Sequence, residues 1–161
     1  MVFVMDLASR RVHMLGSTPH PGDLFMGQIA RLATAADDGV LMGHRVLICD
    51  RDRKWSRAVR QRFGAAGIRA VLTPARAPNA NAYAERFVRS IKEECLDRMI
   101  PLGERHFRRA VTEFVEHYHL ERNHQGLDNR LIAGTPATDV AGRVRRRSRL
   151  GGLLNYYERA A

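Results

Sequence analysis

The sequence predicts an α/β fold in which a mixed β-sheet is flanked by α-helices, and three observations carry that reading. Short apolar runs alternate with longer stretches of helical period along most of the chain. One such run, Arg45-Val46-Leu47-Ile48-Cys49, is continuous enough for a strand buried on both faces and ends in an acid, Asp50. The stretch Pro78–Lys92 reads as a helix opened by an asparagine-rich loop, with Glu85 in its second turn.

In chain order, Val2-Phe3-Val4-Met5-Asp6 and Val12-His13-Met14-Leu15-Gly16 read as strands pairing in an antiparallel hairpin across Ser9-Arg10-Arg11. Asp6 falls where a turn needs a side chain to cap its own backbone. Thr18-Pro19-His20-Pro21 punctuates, and a helix follows from about Gly22 to Ala36. Its expected apolar stripe is Leu24, Phe25, Gln28, Ile29, Leu32 and Ala33, and Asp37-Asp38-Gly39 stops it. After Asp50 comes a helix built on Trp55, Val59, Arg62, Phe63 and Ala66, stopped by Gly67. Ile68–Leu72 is the next strand, apolar and β-branched, and a Pro-punctuated loop leads from it into the Glu85 helix.

Two faces of that helix separate by spacing alone. Ala84, Phe87, Val88, Ile91 and Cys95 make an apolar side, whereas Glu85, Arg89 and Lys92 fall at i, i+4 and i+7 on another. Taken alone, the second face is a solvated helix side with a Glu–Arg pair of a few tenths of a kcal/mol. Asn79 and Asn81 either cap the helix or contact phosphate. A further helix spans Glu104 to about Glu121, with Phe107, Val111, Phe114, Val115 and Tyr118 on its apolar side. His117, His119 and His124 near its end are better suited to packing or phosphate contacts than to zinc, since 117 and 119 share no helical face.

Composition narrows the partner. The 161 residues allow one domain with a modest core, yet the net charge is +10. Only Lys54 and Lys92 are lysines, so the excess is nearly all arginine. A GC-rich coding bias explains Arg over Lys but not an imbalance over Asp and Glu. A polyanion, most simply nucleic acid, is the expected partner. Cys49 and Cys95 make neither a disulfide framework nor a metal pair, which suits a reducing cytoplasm. No apolar run nears the ~20 residues of a membrane span, and the start carries no signal segment. From Gly134 the composition shifts: Thr135-Pro136 looks like a helix start, and Arg143-Val144-Arg145-Arg146-Arg147-Ser148-Arg149 is densely basic. That run is either a solvated tail or a phosphate-contacting arm, and Leu150–Tyr157 is apolar enough to dock back on the domain or on a partner chain.

The strings Leu47-Ile48-Cys49-Asp50-Arg51-Asp52-Arg53-Lys54-Trp55 and Ala77-Pro78-Asn79-Ala80-Asn81-Ala82-Tyr83-Ala84-Glu85-Arg86-Phe87 lie 35 residues apart from acid to acid (85 − 50). Together they resemble the catalytic core of DDE-type integrases and insertion-sequence transposases, the group that includes retroviral integrase. The likeness continues through His117-Tyr118 and Asn123-His124. It implies a ribonuclease-H-like fold lacking its first strand, with residues 1–133 as the catalytic core and 134–161 as a basic C-terminal tail. It also implies that Asp50 and Glu85 are catalytic ligands for Mg²⁺ or Mn²⁺, with Asp52 a weaker neighbour standing where many relatives have Gly.

Arg89 and Lys92 match positions that contact donor DNA, and Arg145, Arg146 and Arg147 supply the basic arm. The implied partners are DNA, as element ends and target, and further copies of the chain in a homo-oligomer at the nucleoid. The family's first catalytic Asp has no counterpart here, and Asp6 is not a substitute. The expected activity is therefore an impaired metal-dependent strand transfer. The alternatives are a non-catalytic DNA-binding or dimerising remnant, and a structure-specific nuclease of the same fold.

Overall fold

Asp6 organises the first turn of the chain as its sequence suggests. In the computed structural model, which describes residues 1–134 and 142–159, strands β1 (Val2–Met5) and β2 (Val12–Gly16) pair across it. The Asp6 Oδ1 atom accepts from the Ser9 amide at 2.6 Å and from the Ser9 hydroxyl at 2.7 Å. Arg10 takes the left-handed backbone conformation that closes the turn.

The described residues group into two compact units: Met1–Met5 with His13–Ala82, and Asp6–Val12 with Tyr83–Ala161. In the first, α1 (Asp23–Ala33), β3 (Val46–Cys49), α2 (Arg57–Ala65) and β4 (Arg69–Leu72) follow the hairpin. β3 and β4 are parallel, with Val46 opposite Arg69 and Cys49 opposite Leu72, and α2 is their crossover. Both ends of α2 are written in sequence. Ser56 accepts from the Val59 amide at 3.3 Å, a cap worth about 1 kcal/mol. At the other end Gly67 sits at φ +79°. Its amide reaches the Gly64 carbonyl while the Ile68 amide reaches Phe63 at 2.9 Å. This double closure needs a residue without Cβ at position 67.

Two expectations for this unit hold only in part. α1 buries Met26, Ile29, Ala30 and Ala33: Ile29 and Ala33 of the expected stripe are in the core and Phe25 packs against it, whereas Leu24 is 91% exposed and Leu32 is exposed as well. On the buried side Gly27 lies beside the Arg62 side chain of α2, 3.5 Å from where a Cβ would stand, an ordinary packing distance. β3 is not buried on both faces either. Leu47 and Cys49 join the core with Met26, Ile29, Val59 and Phe63, while Val46 and Ile48 are exposed. A continuous apolar run reports hydrophobicity, not the number of covered faces.

The second unit is built on α3 (Ala82–Glu94) and α4 (Gly103–Leu120). Phe87, Ile91 and Cys95 are fully buried with Ala110 and Phe114. The Phe87 ring meets Tyr118 edge-on at 5.1 Å and Phe114 at 6.2 Å; each such pair adds about 0.5–1.5 kcal/mol beyond burial. The basic run does not trail off as a solvated tail. Arg143 leads into β5 (Val144–Arg149), which turns through Leu150–Gly152 into an antiparallel partner, β6 (Leu154–Arg159). This hairpin docks on α4: Leu154 is buried, the Leu150 amide donates to Glu113 at 3.1 Å, and Arg149 grips Glu116 and Glu121. The helix start read at Thr135-Pro136 lies outside the described residues. The α/β class holds among them, but the strands form three two-stranded sheets rather than one.

Candidate functional site

Glu85 stands in the first turn of α3, where the partial positive charge of the helix N-terminus favours a carboxylate. It is exposed and has no ion pair or hydrogen bond among the described residues, so the Glu85–Arg89 pair that spacing allows does not form. Arg89 and Lys92 are exposed as well and meet no acid among the described residues. The three share a side of α3 that is separate from the buried Phe87–Ile91–Cys95 side.

Before α3, Pro78–Asn81 makes a single 3₁₀ turn closed by the Ala80 amide on the Ala77 carbonyl at 3.0 Å. The expected caps are absent: neither the Asn79 nor the Asn81 side chain makes a hydrogen bond among the described residues. The 3₁₀ turn runs straight into α3, so backbone carbonyls serve the first amides and the asparagine amides stay available.

Asp50 follows Cys49 at the carboxyl end of β3, the strand end where open α/β sheets gather ligands. The Thr73 amide bonds the Cys49 carbonyl at 2.9 Å and Arg51 Nε bonds the Thr73 carbonyl at 2.8 Å, which ties the ends of β3 and β4 together. Asp50 is not bare. The Lys54 ammonium lies 3.2 Å from its Oδ2 and 2.9 Å from Asp52 Oδ2. The lysine side chain is only 15% exposed and Asp50 is 49% exposed, so the cation is the sheltered member.

Hydrogen bonds from the Lys54 amide and then its ammonium hold the Asp52 carboxyl below its usual range. Beside them, burial and then the Asp50 charge push the Cys49 thiol up to about 12, leaving it an inert core group. Two carboxylates converging on one cation are the oxygen chemistry that Mg²⁺ or Mn²⁺ takes, so the donors fit such an ion in kind. In this structure a lysine supplies the charge. Among the described residues no three His, Cys, Asp or Glu side chains gather as a metal cluster.

The histidines are structural pins. His117 meets Glu121 at 2.9 Å, His119 accepts the Val12 amide at 3.0 Å, and His124 Nε2 donates to the Tyr118 carbonyl at 2.7 Å. Burial lowers the His124 pKa, which keeps the ring neutral.

Of the basic run, Arg147 is bound to Glu158 at 2.6 Å, while Arg145 and Arg146 make no ion pair among the described residues. Two features escaped the sequence reading. Lys54 was legible as Asp50-x-Asp52-x-Lys54, an alternation that lets a loop fold two acids onto one base. The Arg10 guanidinium, 3.3 Å from the centre of the Tyr83 ring, joins residues 73 positions apart (83 − 10) and left no local signal.

Residues 66–131 match the family model for the integrase core domain. The span runs from the end of α2 past α4; it holds Asn79, Asn81, Glu85, Arg89 and Lys92, and leaves Asp50 and the β5–β6 hairpin outside. Over these residues the chain is similar to an integrase core domain, a likeness that suggests DNA integration or transposition. No curated protein and no solved structure matches the chain. Among the described residues no helix is long and apolar enough to cross a membrane.

Proposed function

We propose that the chain is the core of a DNA integrase or transposase of ribonuclease-H-like fold, with Glu85, Arg89 and Lys92 as its working face and residues 134–161 as a basic extension acting with it at the nucleoid. The observation that carries this reading is the bare outward side of α3 inside the integrase-core match: a carboxylate and two cations, all exposed and none in an ion pair among the described residues. Groups left unpaired on a folded surface cost nothing while hydrated and are free to meet phosphate and its counterions. Arg89 and Lys92 position the DNA backbone, and Asn79 and Asn81 offer amide donors to phosphate.

Asp50 and Glu85 are the carboxylates that would hold Mg²⁺ or Mn²⁺. When bound, such ions supply charge stabilisation at the phosphate and an activated hydroxyl nucleophile. The residues of the chain orient the backbone phosphates. A non-catalytic DNA-binding or dimerising remnant is the second reading, favoured by the lysine that already occupies Asp50.

The test is duplex-DNA binding across a salt series, with plasmid nicking in Mn²⁺ alongside. Binding should weaken linearly in log affinity against log salt, and Arg89→Ala with Lys92→Ala should reduce the slope by about 2. Nicking lost in Glu85→Gln supports the enzyme. Binding without nicking supports the remnant, and absence of salt-dependent binding overturns both.

A further inference from the structure

The β5–β6 hairpin sorts its charges by face. Side chains alternate across a strand, so Arg145, Arg147 and Arg149 share one side with Leu154, Tyr156 and Glu158. That inner side is where the hairpin meets α4, and two of its arginines are consumed: Arg147 by Glu158, and Arg149 by Glu116 and Glu121. The outer side is Val144, Arg146 and Ser148 on β5 with Asn155, Tyr157 and Arg159 on β6, every one of them exposed. It carries no acid.

Tyr157 stands 69% exposed directly opposite Arg146 in the ladder, and Arg159 follows it on the same face. The Arg146 side chain is steered by a hydrogen bond from its Nε to Asn155 at 2.9 Å, and Arg159 is braced by the Gly142 carbonyl at 3.1 Å. In both cases at least one guanidinium nitrogen pair remains open to a ligand. An open aromatic ring between two fixed guanidinium groups thus points to solvent on a face of purely positive charge.

The chemistry of that face selects its partner. An apolar protein surface would have to desolvate two unpaired guanidinium groups, which is costly. Duplex DNA offers phosphates to the arginines, but its bases are stacked away from the ring. An unpaired strand offers phosphate and base face together, and stacking on an aromatic is independent of sequence. Residues two apart on a strand are spaced roughly 7 Å along it, which suits one nucleotide step of an extended chain.

From this we infer that the outer face of the β5–β6 hairpin is a platform for unpaired DNA, with Tyr157 stacking a base and Arg146 and Arg159 taking the flanking phosphates. The inference rests on the DNA reading above and names the strand state that reading leaves open.

The experiment is fluorescence anisotropy of the full chain with labelled oligothymidylate of about 20 nucleotides and with a duplex of equal length. Wild type, Tyr157→Ala, Tyr157→Phe and Arg146→Ala are compared at one salt concentration, and circular dichroism verifies folding. Tyr157→Ala should weaken oligothymidylate binding about tenfold or more and leave duplex binding essentially unchanged, while Tyr157→Phe keeps the ring and the affinity. Arg146→Ala should weaken the single strand as well.

Equal loss on single strand and duplex, or no loss at all from Tyr157→Ala, overturns the platform while leaving duplex binding as evidence for the broader reading. Failure to bind either DNA overturns both. Tighter capture of oligouridylate than of oligothymidylate overturns the assignment to DNA.

Discussion

Asp50 and Glu85 are read from sequence as two members of one ligand set, and the protein treats them in opposite ways. Asp50 is half-covered at a strand end, with the sheltered Lys54 ammonium held between it and Asp52. Glu85 is exposed on a helix whose first turn favours negative charge, with no cation assigned to it. The difference is one of readiness. A carboxylate with an internal counterion must give it up before it takes another cation, whereas a bare one gives up only water. Of the two, Glu85 would meet a cation at the smaller cost.

The largest expected effect tests why Glu85 can stand bare. Its helix is anchored from the other side, where Phe87 is fully buried against Phe114 and Tyr118. Phe87→Ala should cost about 3–5 kcal/mol in urea unfolding, and Glu85→Gln should stay within about 0.5 kcal/mol of wild type. A Glu85→Gln loss comparable to the Phe87 loss would break the comparison, because it would reveal a structural partner for the carboxylate.

A smaller effect sharpens the Asp50 side. Trp55 is the sole tryptophan, and its ring centre lies 5.8 Å from the Lys54 ammonium, so it reports on that corner. Lys54→Met should make Trp55 fluorescence respond to Mn²⁺ at lower concentration than in wild type, and Asp50→Asn placed in that background should remove the response. Equal responses with and without Lys54 would mean that the lysine does not compete for the cation site.

The readings that succeeded and those that failed divide by physical range. The turn at Asp6, the stop at Gly67 and the apolar side of α3 follow from a few neighbouring residues, and the structure shows each as expected. The outward placement of Glu85, Arg89 and Lys92 follows from helical spacing in the same way.

The failures concern which of two locally equivalent surfaces a tertiary neighbour covers. On α1 Ile29 and Ala33 of the expected stripe are buried, but packing turns the helix so that Met26 and Ala30 join them while Leu24 and Leu32 stay exposed. Val46 and Ile48 of β3 were as apolar as Leu47, yet among the described residues no element covers their side. The hairpin of 144–159 was hidden because five arginines in seven residues, 143 to 149, read as a charge run. Its acids, Glu113 and Glu116 on α4 and Glu121 just past its end, lie some thirty residues earlier.

Glu121 extends the comparison to a third carboxylate, the most enclosed of the three, with its side chain only 7% exposed. Burial alone would raise its pKa, but hydrogen bonds from Arg149 at 2.6 Å and from His117 at 2.9 Å outweigh that and leave the carboxyl below its ordinary value. A depressed folded-state pKa contributes stability that is fully present above the unfolded value, near 4.3 for Glu, and is lost as pH falls through the folded one.

The hairpin should therefore loosen from α4 on acidification below about pH 4. Hydrogen exchange of the β6 amides, corrected for intrinsic rates and compared between neutral and acid solution, would show it. Glu121→Gln should produce much of that loosening at neutral pH and flatten the acid response. Lys54 and Asp50 lie in the other unit, so Lys54→Met should leave this profile in place. Unchanged β6 protection in both acid and Glu121→Gln would show that Leu154 and the Glu113 contact hold the hairpin without the Arg149 pair.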